Sequence, residues 1–276
     1  MKSTVKLRTI IAIGALGQIL LLQFLPHRIA ILPAALFSLH SVITTLVQMA
    51  RGPRNAYMKD VISGRATVQI PSAEDGTYGS DQSAHPMVVF HFGVRFNHPL
   101  GLCSPGAREI GEHFRKCVES VQENAEKFGL LGVTDWRGNE TGPDGEEKTN
   151  CTMLQVYYFR NAAGLHSFAH SEIHRAAWDW AVRAAHPHIG FFHETFCVPH
   201  GVGAYETIYV NMPPTMLGQA RIHCDAVAPR EEEPACAEKR KFAGTLVSAE
   251  TEPLITMVRR LGYTTPEELY QGPSRV

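Results

Sequence analysis

Residues Met87–Phe96 read MVVFHFGVRF. Val88, Phe90, Phe92, Val94 and Phe96 take every second place, and His91 and Arg95 fall between them. That period of two is the signature of a strand with unlike faces. Downstream, Ala107, Ile110, Phe114, Cys117, Val118, Val121, Ala125 and Phe128 recur every three or four residues. This predicts a helix, with Ser104 as its cap and Gly129 as its stop. Leu130–Arg137 (LLGVTDWR) reads as a second strand, Gly138–Lys148 as an exposed loop, and Cys151–Arg160 (CTMLQVYYFR) as a third strand. A histidine-bearing helix follows and ends near Ala185, before His186-Pro187. His188–Val198 (HIGFFHETFCV) is the expected fourth strand and Tyr205–Asn211 (YETIYVN) a fifth. Strand, helix, strand, strand, helix, strand is the split βαβ order of a ferredoxin-like α+β domain. Its helices cover one face of the sheet, so the other needs a cover. A second copy of the domain would supply one, giving a dimeric α/β barrel; a doubly wound α/β fold is the competing architecture.

Polar residues collect at alternating places in four of these strands: His91 and Arg95, Gln155 and Tyr157, His193, and Tyr209 with Asn211. A pure core face would not gather so many hydrogen-bonding groups. They are therefore the expected wall of a substrate pocket between sheet and helices. The assignment depends on register, because a one-residue slip sends a strand's whole set to the opposite face.

The helical stretch Gly164–Trp180 reads GLHSFAHSEIHRAAWDW. At about 3.6 residues per turn, His166, His170 and His174 form a ladder beside an apolar stripe of Leu165, Ala169, Ile173, Ala176, Trp180 and Ala184. Trp178 continues the histidine stripe. A neutral imidazole near pKa 6.5 suits proton abstraction at neutral pH. His174 is the chosen catalytic base or ligand, with His170 beside it and His193 facing it from the fourth strand. His91, Arg95, Gln155, Tyr157, Trp178, Tyr209 and Asn211 are the expected substrate contacts. Three other readings stand beside this one: a polar helix flank, a metal site, and a haem held by His174 or His193. Metal is disfavoured because His193 and Glu194 are strand neighbours and point to opposite faces. No H-E-x-x-H pattern, phosphate-cradling glycine motif or dinucleotide fingerprint occurs, so neither metal nor bound flavin or nicotinamide is expected.

The chain has 276 residues, 26 Lys and Arg against 27 Asp and Glu, and a formal net charge of −1. That balance argues against a nucleic-acid partner. Six scattered cysteines without a C-x-x-C pair read as reduced, packed thiols. Thr9–Leu25 and Ile29–Ala50 are apolar runs joined by Pro26-His27-Arg28. They predict a transmembrane helical hairpin over residues 1–50, with a signal peptide as the competitor. Basic residues on both sides (Lys2, Lys6 and Arg8; Arg51, Arg54 and Lys59) put both ends in the cytosol, the endoplasmic reticulum being the expected membrane. The sequons at Asn139 and Asn150 oppose that orientation. The expected organisation is anchor 1–50, connector 51–86, ferredoxin-like catalytic domain 87–214 and C-terminal extension 215–276. Thr265-Pro266-Glu267-Glu268 predicts a capped terminal helix.

The segments FHFGVRFNHPLG, LQVYYFR, LHSFAHSEIHRAAWDW and HIGFFHETFCVPHGVGAYETIYVNMPP together resemble the fungal monooxygenase-like family of the fumagillin-biosynthesis type, related to the antibiotic biosynthesis monooxygenases. The resemblance covers about Met87–Pro214 and the apolar N-terminus. It implies a homodimeric barrel and a monooxygenase that uses O2 to oxidise a hydrophobic polyketide or terpenoid intermediate of fungal secondary metabolism, of mycotoxin type. It further implies that a substrate carbanion reduces O2 without a cofactor. A haem-dependent oxygenase or dehydratase on the same barrel, and a non-catalytic metabolite-binding protein, are the alternatives.

Overall fold

A computed structural model describes residues 7–79, 85–141, 147–224 and 242–271. The chain opens with helices α1 (Leu7–Phe24), α2 (His27–Ala30) and α3 (Leu32–Ala50). His27–Ala50 is one segment long and apolar enough to cross a membrane; α1 contains a shorter apolar stretch, Ile10–Phe24. Lys2 and Lys6 lie outside the described residues.

The central sheet holds β2 (Met87–Phe96), β3 (Leu130–Thr141), β4 (Glu147–Phe159) and β5 (Ile189–Val198) in the order β3-β4-β2-β5, antiparallel throughout. Helices α4 (Ala107–Glu123) and α5 (Ala125–Phe128) join the first two of these strands; α6 (Ala162–Ala169) and α7 (Glu172–Ala184) join the last two. This is the ferredoxin-like order expected from the sequence. A smaller sheet, β6-β1-β9, unites β1 (Ile62–Val68) with β6 (Tyr209–Met212) and β9 (Leu246–Ser248). β7 (Arg221–His223) pairs with β8 (Phe242–Gly244), and α8 (Met257–Arg260) and α9 (Pro266–Gln271) follow. Thr265 and Glu268 cap α9 reciprocally, as the sequence predicted.

Both faces of the central sheet have apolar support. Toward the helices, Val88, Tyr157 and Phe159 pack with Val121, Phe128 and Phe168, and Val94 and Phe96 with Ile110 and Phe114. On the outer face, Met87, Leu131, Val156 and Tyr158 meet Val68, Leu217, Ile222 and Cys224. The chain's own β1 and C-terminal segments thus cover the β3–β4 part of the face that the sequence assigned to a second copy.

Four local expectations change. The predicted fifth strand leaves the central sheet: β6 pairs with β1, Tyr209 opposite Ala66. The cause is the glycine-bearing connection after Val198, where Gly201 and Gly203 take positive φ, open to glycine, and lead the chain away from β5. β5 therefore stays an edge strand. The expected loop Gly138–Lys148 is largely strand, since β3 runs to Thr141 and β4 starts at Glu147; residues 142–146 and the side chains of Asn139 and Asn150 lie outside the described residues. Gly106, in left-handed conformation, precedes α4 in place of Ser104, whose hydroxyl is buried without a hydrogen bond. Finally, the histidine helix is two helices. Ser171 caps α7 by accepting from the His174 amide, and Asn161 caps α6 by accepting from the Gly164 amide.

Candidate functional site

Between the sheet and α4, α6 and α7 lies a cavity of about 800 Å³. Its floor follows from strand register. Asp135, Gln155, Phe92 and His193 are direct partners across β3, β4, β2 and β5, and Val133, Tyr157, Phe90 and Thr195 form the next row. Cross-strand partners share a face, so each row is continuous across the sheet. Phe90, Phe92, Gln155, Tyr157, His193 and Thr195 all line the cavity. The phenyl rings lie nearly parallel: Phe90 and Phe92 differ by 6°, Phe92 and Phe191 by 9°, and Phe92 and Phe114 by 15°. The floor is therefore lined by near-parallel aromatic rings, buried under α4 and open to solvent along β5, where Phe191 is 38% exposed.

The roof carries the other candidates. His170, His174, Arg175, Ala177, Trp178 and Ala181 line the cavity from the α6–α7 joint and from α7. Of the stripe read from the sequence as the flank of a buried face, His170, His174 and Trp178 line the cavity together with Leu165 and Ala169 of the apolar stripe. Ile173, expected inside, is exposed. Burial lowers the His174 pKa; a hydrogen bond to the Ala169 backbone opposes this, and His170 nearby reinforces it. His174 is thus a neutral base at neutral pH. His170 approaches the His166 carbonyl through Nδ1 at 2.9 Å. A carbonyl only accepts, so Nδ1 holds the proton and Nε2 is the free acceptor. His166 stacks on His170 at 4.1 Å and supports it from outside the lining.

Gln155 and Tyr157 form a buried polar pair. The Tyr157 hydroxyl donates to Gln155 Oε1 at 2.6 Å, and Gln155 Nε2 donates to Asp135 Oδ1 at 2.6 Å. Burial first, then Cys117 and Asp135, push the Tyr157 phenol far above its ordinary value, so it remains a donor. Burial also pushes the Cys117 thiol up to about 11. That thiol is a packed, un-ionised wall.

The remaining sequence candidates lie elsewhere. His91 sits opposite Val156 and Glu194 on the outer face, with Nδ1 3.5 Å from Glu194 Oε2. Arg95 has the same parity. The sequence reading took polar residues as the pocket side, whereas the helices dock on the phenylalanine side because that side is apolar. Tyr209 accepts from the Gly218 amide and Asn211 from the Gly64 amide, both in the second sheet system. Asp135, Thr195 and the phenylalanine floor escaped the sequence reading; the alternation of Phe90 and Phe92 was the floor's signal, while Asp135 is placed only by the pairing of β3 with β4. Among the described residues no group of three or more His, Cys, Asp or Glu side chains could hold a metal ion.

The Monooxygenase af470-like family model matches residues 87–217. Monooxygenase af470 of Aspergillus fumigatus is 37% identical over 257 residues, 93% of this chain and 87% of that protein. Among solved structures, an aldoxime dehydratase in complex with butyraldoxime superposes with a TM-score of 0.38 at 14% identity, over 56% of this chain and 39% of that one. SnoaB, a cofactor-independent oxygenase from Streptomyces nogalater, gives 0.27 at 12% identity, over 41% of this chain and 92% of that one.

Proposed function

This chain belongs to the Monooxygenase af470-like family, and from that membership we propose that it oxidises an enolisable, apolar polyketide or terpenoid intermediate of secondary metabolism with O2 and no cofactor. The observation that carries the reading is the placement of His174 and His170 in the roof and His193 in the floor of one aromatic cavity. A neutral imidazole removes the proton of an acidic C–H. The carbanion passes one electron to O2, and the radical pair joins as a peroxide anion, which the imidazolium protonates to the hydroperoxide. Loss of water then leaves a carbonyl, so that CH2 and O2 become C=O and H2O. The imidazole takes the second C–H proton as the O–O bond breaks and passes it to the departing hydroxide, and no external reductant is needed.

Haem on a His174 or His193 ligand is the second reading. Among the described residues Arg175 is the one guanidinium in the lining, set against two propionates, which favours the cofactor-free course. The protein acts as a homodimer, as its exposed edge strand β5 suits. His27–Ala50, with α1 as the other arm of a hairpin, holds it to the endoplasmic reticulum with the catalytic domain in the cytosol. The exposed apolar side chains of α3, among them Leu36 and Phe37, and the basic residues after it support that placement.

The test is purified full-length protein in detergent, given anthrone under 18O2. A colourless protein that forms anthraquinone with one 18O carries the proposal. A Soret band, or no turnover of any enolisable ketone, overturns it.

A further inference from the structure

We propose that Gln155 forms an oxyanion site for a flat ring ketone or phenol whose acidic carbon lies across the ring from its oxygen, and that Asp135 is the residue that positions it. This rests on the base chemistry proposed for the cavity. Gln155 is 5% exposed and lines the cavity. Its Oε1 is taken by the Tyr157 hydroxyl and one Nε2 hydrogen by Asp135; the second Nε2 hydrogen has no partner among the described residues. An unpaired N–H so deeply buried beside a cavity is a donor awaiting a ligand. Asp135 decides which end of the amide faces which neighbour. A phenol can donate or accept, but a carboxylate only accepts, so a flipped amide would set oxygen against oxygen. The sequence distance between Asp135 and Gln155 hides this pairing; the register reveals it.

The same row sets the substrate's shape. Gln155 and His193 are two strands apart with Phe92 between them. At about 4.8 Å per strand their backbones stand roughly 10 Å apart, and both side chains rise from one face. A planar ring held between Gln155 and His193, against the edge of the Phe92–Phe114 stack, offers its C–H to His193 and its developing oxyanion to the Gln155 amide. The donor is in place before charge develops, the arrangement that stabilises an enolate without reorganisation.

The experiment uses alizarin, a planar tricyclic phenol whose colour reports its ionisation, together with anthrone turnover, in wild type, Asp135→Asn and Asp135→Glu. Asp135→Asn keeps the shape but lets the Gln155 amide flip. It should raise the apparent pKa of bound alizarin by about one unit and lower kcat for anthrone on the order of 10- to 100-fold, with KM changed less than about threefold. Asp135→Glu keeps an ionised acceptor at an exposed strand edge and should recover most of both. Unchanged alizarin ionisation and kcat in Asp135→Asn, with alizarin still bound, overturn the positioning role alone. Wild-type protein that binds no alizarin overturns the cavity reading and this inference with it.

Discussion

Neighbouring residues on one strand of the central sheet lead different lives. On β2, Phe92 is the centre of the cavity floor, and His91 is on the outer face beside Glu194. On β5, His193 lines the cavity while Phe192 rests on the outer face, its ring occupying the space a Cβ at Gly93 would need. On β4, Gln155 and Tyr157 face the cavity while Val156 is fully packed on the other side. The helix-covered face mixes an aromatic floor with a few polar groups at its ends, the β5 end being open to solvent. The outer face mixes a core under the C-terminal segments with an exposed strip on β5. Chemistry needs both ingredients of the first face: an apolar aromatic wall and side chains whose protons are held in fixed directions.

The sharpest way to break this contrast is to remove the imidazoles of the cavity side, one from its roof and one from its floor. His174→Ala and His193→Ala should each lower anthrone oxidation by roughly 10²- to 10⁴-fold, with circular dichroism unchanged. Full activity in both would return the cavity histidines to a packing role. Next comes Gly164→Ala, in α6 above the cavity. Its new Cβ would lie 2.0 Å from the Phe128 carbonyl oxygen, a backbone atom that cannot swing aside. A cost of about 1–3 kcal/mol is expected, seen as a Tm lower by roughly 2–4 °C per kcal/mol. Gly138→Ala, with nothing within 4 Å, should change stability by less than about 0.5 kcal/mol.

The pH dependence is smaller. The His174 pKa is lowered by burial, so the unfolded chain takes up the proton first. Its contribution to stability is complete above the ordinary value of 6.5 and is lost as pH falls through the window below it. Tm measured from pH 8 to pH 5 should show this slope in wild type and less of it in His174→Gln. The acid limb of turnover should likewise lie below pH 6.5. Least affected is His91→Gln on the outer face: its partner Glu194 is largely exposed, so turnover within about twofold of wild type is expected. A tenfold loss there would erase the distinction between the faces.

Periodicity made the order of strands and helices legible, and with it the sheet that places Gln155, Tyr157, His174 and His193 around one space. Parity was legible too, but not which parity faces the helices. Polar His91 and Arg95 suggested a pocket, while apolar Phe90 and Phe92 are what the helices and a hydrophobic ligand seek. The break at Ser171 had a local signal, a capping serine, masked by the unbroken four-residue spacing of the histidines. Tyr209 and Asn211 were misplaced because a glycine turn can redirect a strand without altering its pattern. Asp135 was illegible for a different reason. Only the pairing of β3 with β4 brings it to Gln155, and register is a property of two strands together.

The strand β1 has an unusual position in time. Ala66 pairs with Tyr209 on one side and with Ser248 on the other. As the chain is synthesised, β1 emerges early, and neither partner exists until most of the protein has been made. At roughly 5–20 residues per second the wait for β6 alone is on the order of ten seconds. During that interval β1 presents two bare edges, and the central βαββαβ unit, whose contacts are nearer in sequence, can form without it. The late-made C-terminal strand β9 closes one of those edges, so a chain cut before Leu246 would carry the residues of the cavity and still leave β1 open to pairing with a neighbour.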